Sequence, residues 1–143
     1  MKYYASQLIQ AVGAMHRAGV CHRDLKLNNL VLDAEFNLKI IDFGMACDLS
    51  GSNGSGFSDQ FRGTKNYMAP EILGQVAYQP VMADLFALGV ILYILHTGRE
   101  PFRTATSSDD LYKFFAHSQH KGYWSYQEKC MGTQLSTNFK DLI

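Results

Sequence analysis

His22-Arg23-Asp24-Leu25-Lys26-Leu27-Asn28-Asn29 carries a carboxylate, two cations and two amides within eight residues. Each type has a definite chemical capacity. A carboxylate such as Asp24 can accept a proton from a hydroxyl, and a lysine such as Lys26 can sit on a phosphate as a compact point charge. The side-chain oxygen of Asn29 is a hard donor of the kind magnesium takes. A second carboxylate, Asp42, follows in Asp42-Phe43-Gly44.

These groups need a scaffold, and the flanking sequence predicts one. Ahead of them, Tyr3 to Ala18 reads as a helix whose stripe is Ala5, Leu8, Ile9, Val12 and Met15, with Gly19 as its stop and Arg17 near the negative end of its dipole. No cap precedes Tyr3, so the helix is expected to start upstream. Behind them, Leu30 to Asp33 and Leu38 to Asp42 are short β-like runs joined by Ala34 to Asn37, with Asn37 expected in the left-handed conformation. Such a hairpin brings Asn29, before its first strand, close to Asp42, after its second. Two oxygen ligands can then face one site.

Composition narrows the class. With 47% hydrophobic and 18% charged residues the chain reads as globular, and 143 residues suffice for one unit with a real core. Thirteen cations balance thirteen anions, which argues against a broad electrostatic surface for nucleic acid or membrane. The most apolar run, Leu85 to Leu95, reads as too short to cross a bilayer. Cys21, Cys47 and Cys130 are odd in number and widely spaced. They form neither a disulfide framework nor a metal motif, so reduced thiols in the cytoplasm or nucleus are expected.

Three motifs, in order, then carry a resemblance. His22 to Asn29 fits H-R-D-L-x-x-x-N, Asp42-Phe43-Gly44 comes next, and Gly63-Thr64-Lys65-Asn66-Tyr67-Met68-Ala69-Pro70-Glu71 follows. The chain resembles the C-terminal lobe of a eukaryotic serine/threonine protein kinase, sharpest from His22 to Phe102. The resemblance implies a mainly α fold with a small β-hairpin, residues 1–143 being one part of a kinase domain whose N-lobe is absent. It implies ATP and Mg2+ as cofactors and a protein serine or threonine as acceptor. Asp24 would be the base, Lys26 would stabilise the transferring phosphoryl group, and Asn29 and Asp42 would bind the metal. Val31 would lie under the adenine, and Thr64 would hydrogen-bond near Asp24 and Lys26.

The resemblance also implies supporting roles. Met45 to Phe61 takes the place of an activation loop, in which a phosphate pairs with the arginine of the catalytic motif, here Arg23. Gln60 stands where relatives carry the threonine, leaving Ser58 or a neighbouring serine within 50–58 as a candidate phosphosite, or Asp59 as a fixed charge. The glycines of Ser50 to Gly56 make no phosphate cradle. Glu71 would pair with an arginine that the chain does not reach by Ile143. Asp84, the anomaly in an otherwise apolar helix from Val81 to Thr97 that reads as fully buried, would hold backbone amides of the catalytic loop.

Departures from the pattern are local. Leu27 and Asn28 stand where proline and glutamate are common, which removes the expected reader of basic substrates. Phe86 and Ala87 replace tryptophan and serine. The glycine-rich loop, the strand lysine and its glutamate would come from an N-lobe supplied in cis, so the isolated chain is expected to be inactive while its parent is active. The alternative is a pseudokinase or binding module. In the tail, Asp109 to His117 is expected to be a helix, Ser118 to Gly132 a packed loop with His117 and His120 at the surface, and Ser136 the cap of a last helix through Phe139 and Leu142.

Overall fold

The structure is a computed structural model, and it describes residues 2–143. Its order is α1 (Lys2–Arg17), β1 (Val20–Cys21), β2 (Leu30–Leu32), β3 (Leu38–Ile40), β4 (Cys47–Asp48), α2 (Pro70–Leu73), α3 (Pro80–Thr97), α4 (Lys113–Ala116), α5 (His120–Met131) and α6 (Thr137–Leu142). The fold is mainly helical with small antiparallel pairs.

α1 forms where its apolar stripe meets α3. Leu8, Val12 and Met15 are buried with Leu25, Ala87, Leu88, Ile91 and Leu92 in one core. Ile9 departs from the expected stripe and is exposed. Gly19 ends the helix in the left-handed conformation.

β2 and β3 form the expected hairpin, with Leu30 facing Ile40 and Leu32 facing Leu38. Its turn closes differently. Phe36, not Asn37, is left-handed, at φ 61°. The Asp33 carboxylate accepts the Glu35 and Asn37 amides at 3.0 and 2.8 Å, and Phe36 makes the reversal between them. A second pair, β1 with β4, matches Cys21 to Cys47. Neither strand was anticipated, because two residues carry no alternation.

α3 is the central helix, but it is not buried all round. Met82 and Leu85 are exposed, while Ala83, Asp84, Ala87, Leu88 and Ile91 face inward. With 18 residues and a mean hydropathy of 1.7 it is long and apolar enough, by length and composition alone, to cross a bilayer. That corrects the expectation drawn from the shorter Leu85 to Leu95 run. Its buried Asp84 suits a core helix, since a carboxylate needs donors.

The C-terminal region departs most from expectation. Residues 120–131 form α5 and not a loop, ending at Gly132 in the left-handed conformation. α4 covers only Lys113–Ala116, because Asp109 sits in the turn before it and accepts the Arg103, Thr104, Leu111 and Tyr112 amides. Gly122 is not a loop glycine: a Cβ there would lie 2.9 Å from the Phe114 ring. The helix forms because Tyr123, Trp124 and Gln127 bury one face of it, a tertiary gain that outweighs weak local propensity. α6 begins as expected, with Ser136 Oγ accepting the Phe139 amide.

Candidate functional site

Asp84, one turn into α3 and 1% exposed, is the post on which the 22–29 loop hangs. Its oxygens accept the His22 amide at 2.8 Å and the Arg23 amide at 2.7 Å. His16, at the end of α1, brings Nε2 to 2.9 Å from the same carboxylate. Arg23 is left-handed, at φ 63°. The paired amides offset the strain of that conformation and turn the next residue, Asp24, into the site.

His22 ties this loop to the strand that leads to Asp42. Its Nε2 lies 2.9 Å from the Ile41 carbonyl. A carbonyl only accepts, so Nε2 carries the proton and Nδ1 accepts the Asp24 amide at 3.3 Å. The Phe43 ring packs on the imidazole at a centroid distance of 4.9 Å.

Three groups converge at Asp24. Thr64 Oγ1 donates to Asp24 Oδ1 at 2.7 Å, Lys26 Nζ donates to Asp24 Oδ2 at 2.6 Å, and Lys26 Nζ also donates to Thr64 Oγ1 at 3.0 Å. Burial opposes ionisation of Asp24, but the Lys26 and Thr64 hydrogen bonds outweigh it and hold the carboxyl below its ordinary value. The group is therefore an oriented carboxylate at neutral pH. Thr64 is placed by Gly63, whose φ of 130° brings it against the Arg23 carbonyl. A Cβ there would lie 2.9 Å from that oxygen.

The hairpin delivers Asn29 and Asp42 to neighbouring positions. The Ile41 amide donates to the Asn29 carbonyl at 2.9 Å, which continues the ladder to the residue before Asp42. Asn29 is buried, and its Nδ2 donates to the Asp24 carbonyl at 3.0 Å. That bond orients the amide and leaves Oδ1 as the atom free to take a cation. Asp42 is exposed and left-handed, at φ 63°, with Oδ1 accepting the Gly44 amide at 3.3 Å. An amide oxygen and an exposed carboxylate suit magnesium, a hard cation. Val31 lies on β2 and is exposed, as are Ile41 and Phe43.

Arg23 organises the segment from 45 to 61. It donates to the Met45 carbonyl at 2.7 Å, to Ser58 Oγ at 3.3 Å and to Gln60 Oε1 at 3.1 Å. Ser58 is only 2% exposed, and its backbone pairs with Tyr78 in both directions. Its hydroxyl is thus shut away from a modifying enzyme in this conformation. Glu71 is half-buried, and no cation among the described residues lies within ion-pair distance of it.

Sequence reasoning missed His16 and the cluster it forms with Cys21 and Asp84, whose donor atoms all lie within 4.8 Å of one another. No spacing signalled it, because the three residues come from three elements. His117 and His120 are exposed, as expected.

The family model described as protein kinase domain matches residues 1–143. The CBL-interacting serine/threonine-protein kinase 26 of Arabidopsis thaliana is 42% identical over 121 residues, which is 85% of this chain and 28% of that protein. The CBL-interacting protein kinase 31 of Oryza sativa subsp. japonica is 46% identical over 99 residues, 69% of this chain and 22% of the relative. The protein kinase C epsilon type of Oryctolagus cuniculus is 42% identical over 116 residues, 81% of this chain and 15% of the relative. The chain thus spans less than a third of each of these relatives.

Proposed function

Because the chain belongs to the protein kinase domain family, we propose that its full-length protein transfers the γ-phosphoryl group of ATP to serine or threonine hydroxyls of proteins. The 143 residues are then the C-lobe part of one catalytic domain. The observation that carries this reading is the Asp24–Lys26–Thr64 triangle, a carboxylate kept ionised and paired with a lysine ammonium.

Asp24 orients the acceptor hydroxyl and takes its proton as the oxygen attacks phosphorus. Thr64 fixes the rotation of that carboxylate. Lys26, bound to both, lies where charge develops on the transferring group and stabilises it. Asn29 and Asp42 are the oxygen ligands for Mg2+, which supplies charge neutralisation of the nucleotide phosphates when bound. Val31 offers an apolar seat for the adenine. Asp84 and His16 hold the loop and take no part in the chemistry. A location in the cytoplasm or nucleus belongs to the same proposal.

Phosphoryl transfer rests on positioning and charge stabilisation. The residues that cover the nucleotide in the family lie outside these 143, so the isolated chain is expected to transfer no phosphate. The test compares the full-length protein with its Asp24→Asn variant on a mixture of serine, threonine and tyrosine peptides. Loss of at least a hundredfold in kcat, with ATP still bound, supports the reading. Equal rates for the two proteins, or labelling of tyrosine alone, would sink it.

A further inference from the structure

β1 and β4 set two thiols against each other. Cys21 faces Cys47 in their antiparallel register. Next outward along the ladder, the Leu49 amide donates to the Gly19 carbonyl at 2.9 Å. Hydrogen-bonded and non-hydrogen-bonded pairs alternate in such a ladder, so the cysteines form a hydrogen-bonded pair with Cα atoms about 5.5 Å apart. A disulfide spans Cα separations of about 4.4–6.8 Å, most often near this value. Cross-strand partners also point to the same face of the ladder. Cys21 is fully buried and Cys47 only partly, whereas Cys130 is exposed on α5. Of the pair, only Cys47 keeps exposure to solvent.

We propose that Cys21 and Cys47 are a modification site that closes into a disulfide when the protein meets hydrogen peroxide. The Cys47 sulfur, as thiolate, attacks one peroxide oxygen. An S–O bond forms, the O–O bond breaks, and the departing hydroxide leaves as water with the Cys47 proton. The Cys21 sulfur then attacks the sulfenic sulfur of Cys47. An S–S bond forms, the S–O bond breaks, and hydroxide leaves as water with the Cys21 proton. Two thiols are oxidised and one peroxide is reduced to two waters.

Burial sets the pace. It pushes the Cys21 thiol up to about 12 and raises that of Cys47 as well. Both are protonated at neutral pH, and the first step is slow. Once the sulfenic acid forms, the neighbouring sulfur captures it before a second peroxide does, because the strands already hold the two together. The cross-link closes a ring of roughly 25 residues that contains Asp24, Lys26, Asn29 and Asp42. It fastens the start of the catalytic loop to the strand after Asp42-Phe43-Gly44. The inference stands on the strand register and not on the kinase reading.

The test treats the purified chain with hydrogen peroxide at pH 8, blocks free thiols, digests without reduction and maps cross-links by mass spectrometry. The expected product is one linkage, Cys21 to Cys47, present in Cys130→Ser and reversed by dithiothreitol. The oxidised chain should melt roughly 5–10 °C above the reduced one. The same treatment in urea should scatter linkages over all three cysteines. The proposal is overturned if the folded wild-type chain yields the urea pattern, if Cys47 accumulates as sulfinic acid while Cys21 stays free, or if only Cys130 reacts.

Discussion

The loop around Asp24 and the cluster around Tyr123 are both buried, and they are held by opposite means. The loop contains His22, Arg23, Asp24 and Asn29, all buried polar residues, and its shape is set by individual hydrogen bonds to Asp84, Thr64 and Lys26. The cluster contains Tyr93, Tyr123, Trp124 and Leu135, with Phe114, Phe115 and Phe139 against them. There the rings pack edge to face, tilted or stacked, as Tyr123 does on Trp124 at 4.9 Å and on Phe115 at 4.5 Å, and Tyr93 on Trp124 at 6.3 Å. Many small contacts share the load in the cluster, whereas the loop depends on a few directional bonds. Losing the one acceptor that serves several loop donors should therefore matter far more than losing a single bond in the cluster.

The sharpest break is Asp84→Ala. It removes an acceptor serving the His22 and Arg23 amides and His16, and leaves buried donors unpaired. We expect a loss of about 3–5 kcal/mol in urea denaturation. On the proposed reading we also expect at least a hundredfold loss of kcat in the full-length protein, because the carboxylate that accepts the amide of the left-handed Arg23 is gone. A loss below about 1 kcal/mol would show that the loop is held by packing, as the cluster is.

Lys26→Met is the next test, and it separates chemistry from stability within the loop. On the proposed reading full-length activity should fall by roughly 10²–10³ as a charge assigned to the transferring group is lost, while stability changes by no more than about 1 kcal/mol for a partly exposed pair. The variant also predicts a pH effect. Asp24 is depressed in the folded state, so its contribution to stability is present above the unfolded value of about 3.9 and fades as pH falls through the lower folded value. Without the Lys26 bond the folded carboxyl titrates higher. Part of the acid-side slope of stability should then disappear, with the Asp24 resonance in NMR titration moving up in pH. An unmoved Asp24 midpoint would mean that Thr64 alone sets it.

The same contrast explains what the sequence revealed. Asp24, Lys26, Asn29 and Asp42 are charged or amide residues at fixed short spacings, and local chemistry survives without knowledge of the fold. Asp84 stood out because a carboxylate in an apolar helix demands donors, and those donors are the loop amides. The hairpin was legible from its two β-like runs. Its turn was not: Asn37 has the side chain that usually tolerates the left-handed region, but Asp33 captures it and moves the reversal to Phe36. α5 was illegible for a related reason. Its glycine and aromatics resemble a loop until Phe114 and Tyr93 are in place to cover them. His16 meets Asp84 only across the fold, and no pattern along the chain reports that.

Within the cluster, two tyrosines turn the comparison into a measurement. The Tyr123 hydroxyl donates to the Pro101 carbonyl at 3.1 Å inside the protein. Tyr123→Phe should cost about 1 kcal/mol, the usual worth of one such bond. The Trp124 and Phe115 contacts remain, so the transition should stay as cooperative as in the wild type.

Tyr93 is the control on which that interpretation depends. It is fully buried, and among the described residues no donor or acceptor meets its hydroxyl with hydrogen-bond geometry. The ring packs on Tyr123, Trp124 and Phe139, and burial raises the phenol above its ordinary value. Removing an oxygen that makes no bond loses no bond. It also removes a polar atom that was stripped of water without compensation. Tyr93→Phe should therefore be neutral within about 0.5 kcal/mol or stabilising by up to about 1 kcal/mol, read from the denaturation midpoint beside that of Tyr123→Phe. A loss as large as that of Tyr123→Phe would mean that a partner reaches the Tyr93 hydroxyl in solution. The cluster would then hold a polar bond of the loop's kind, and the division between the two regions would narrow to one of degree.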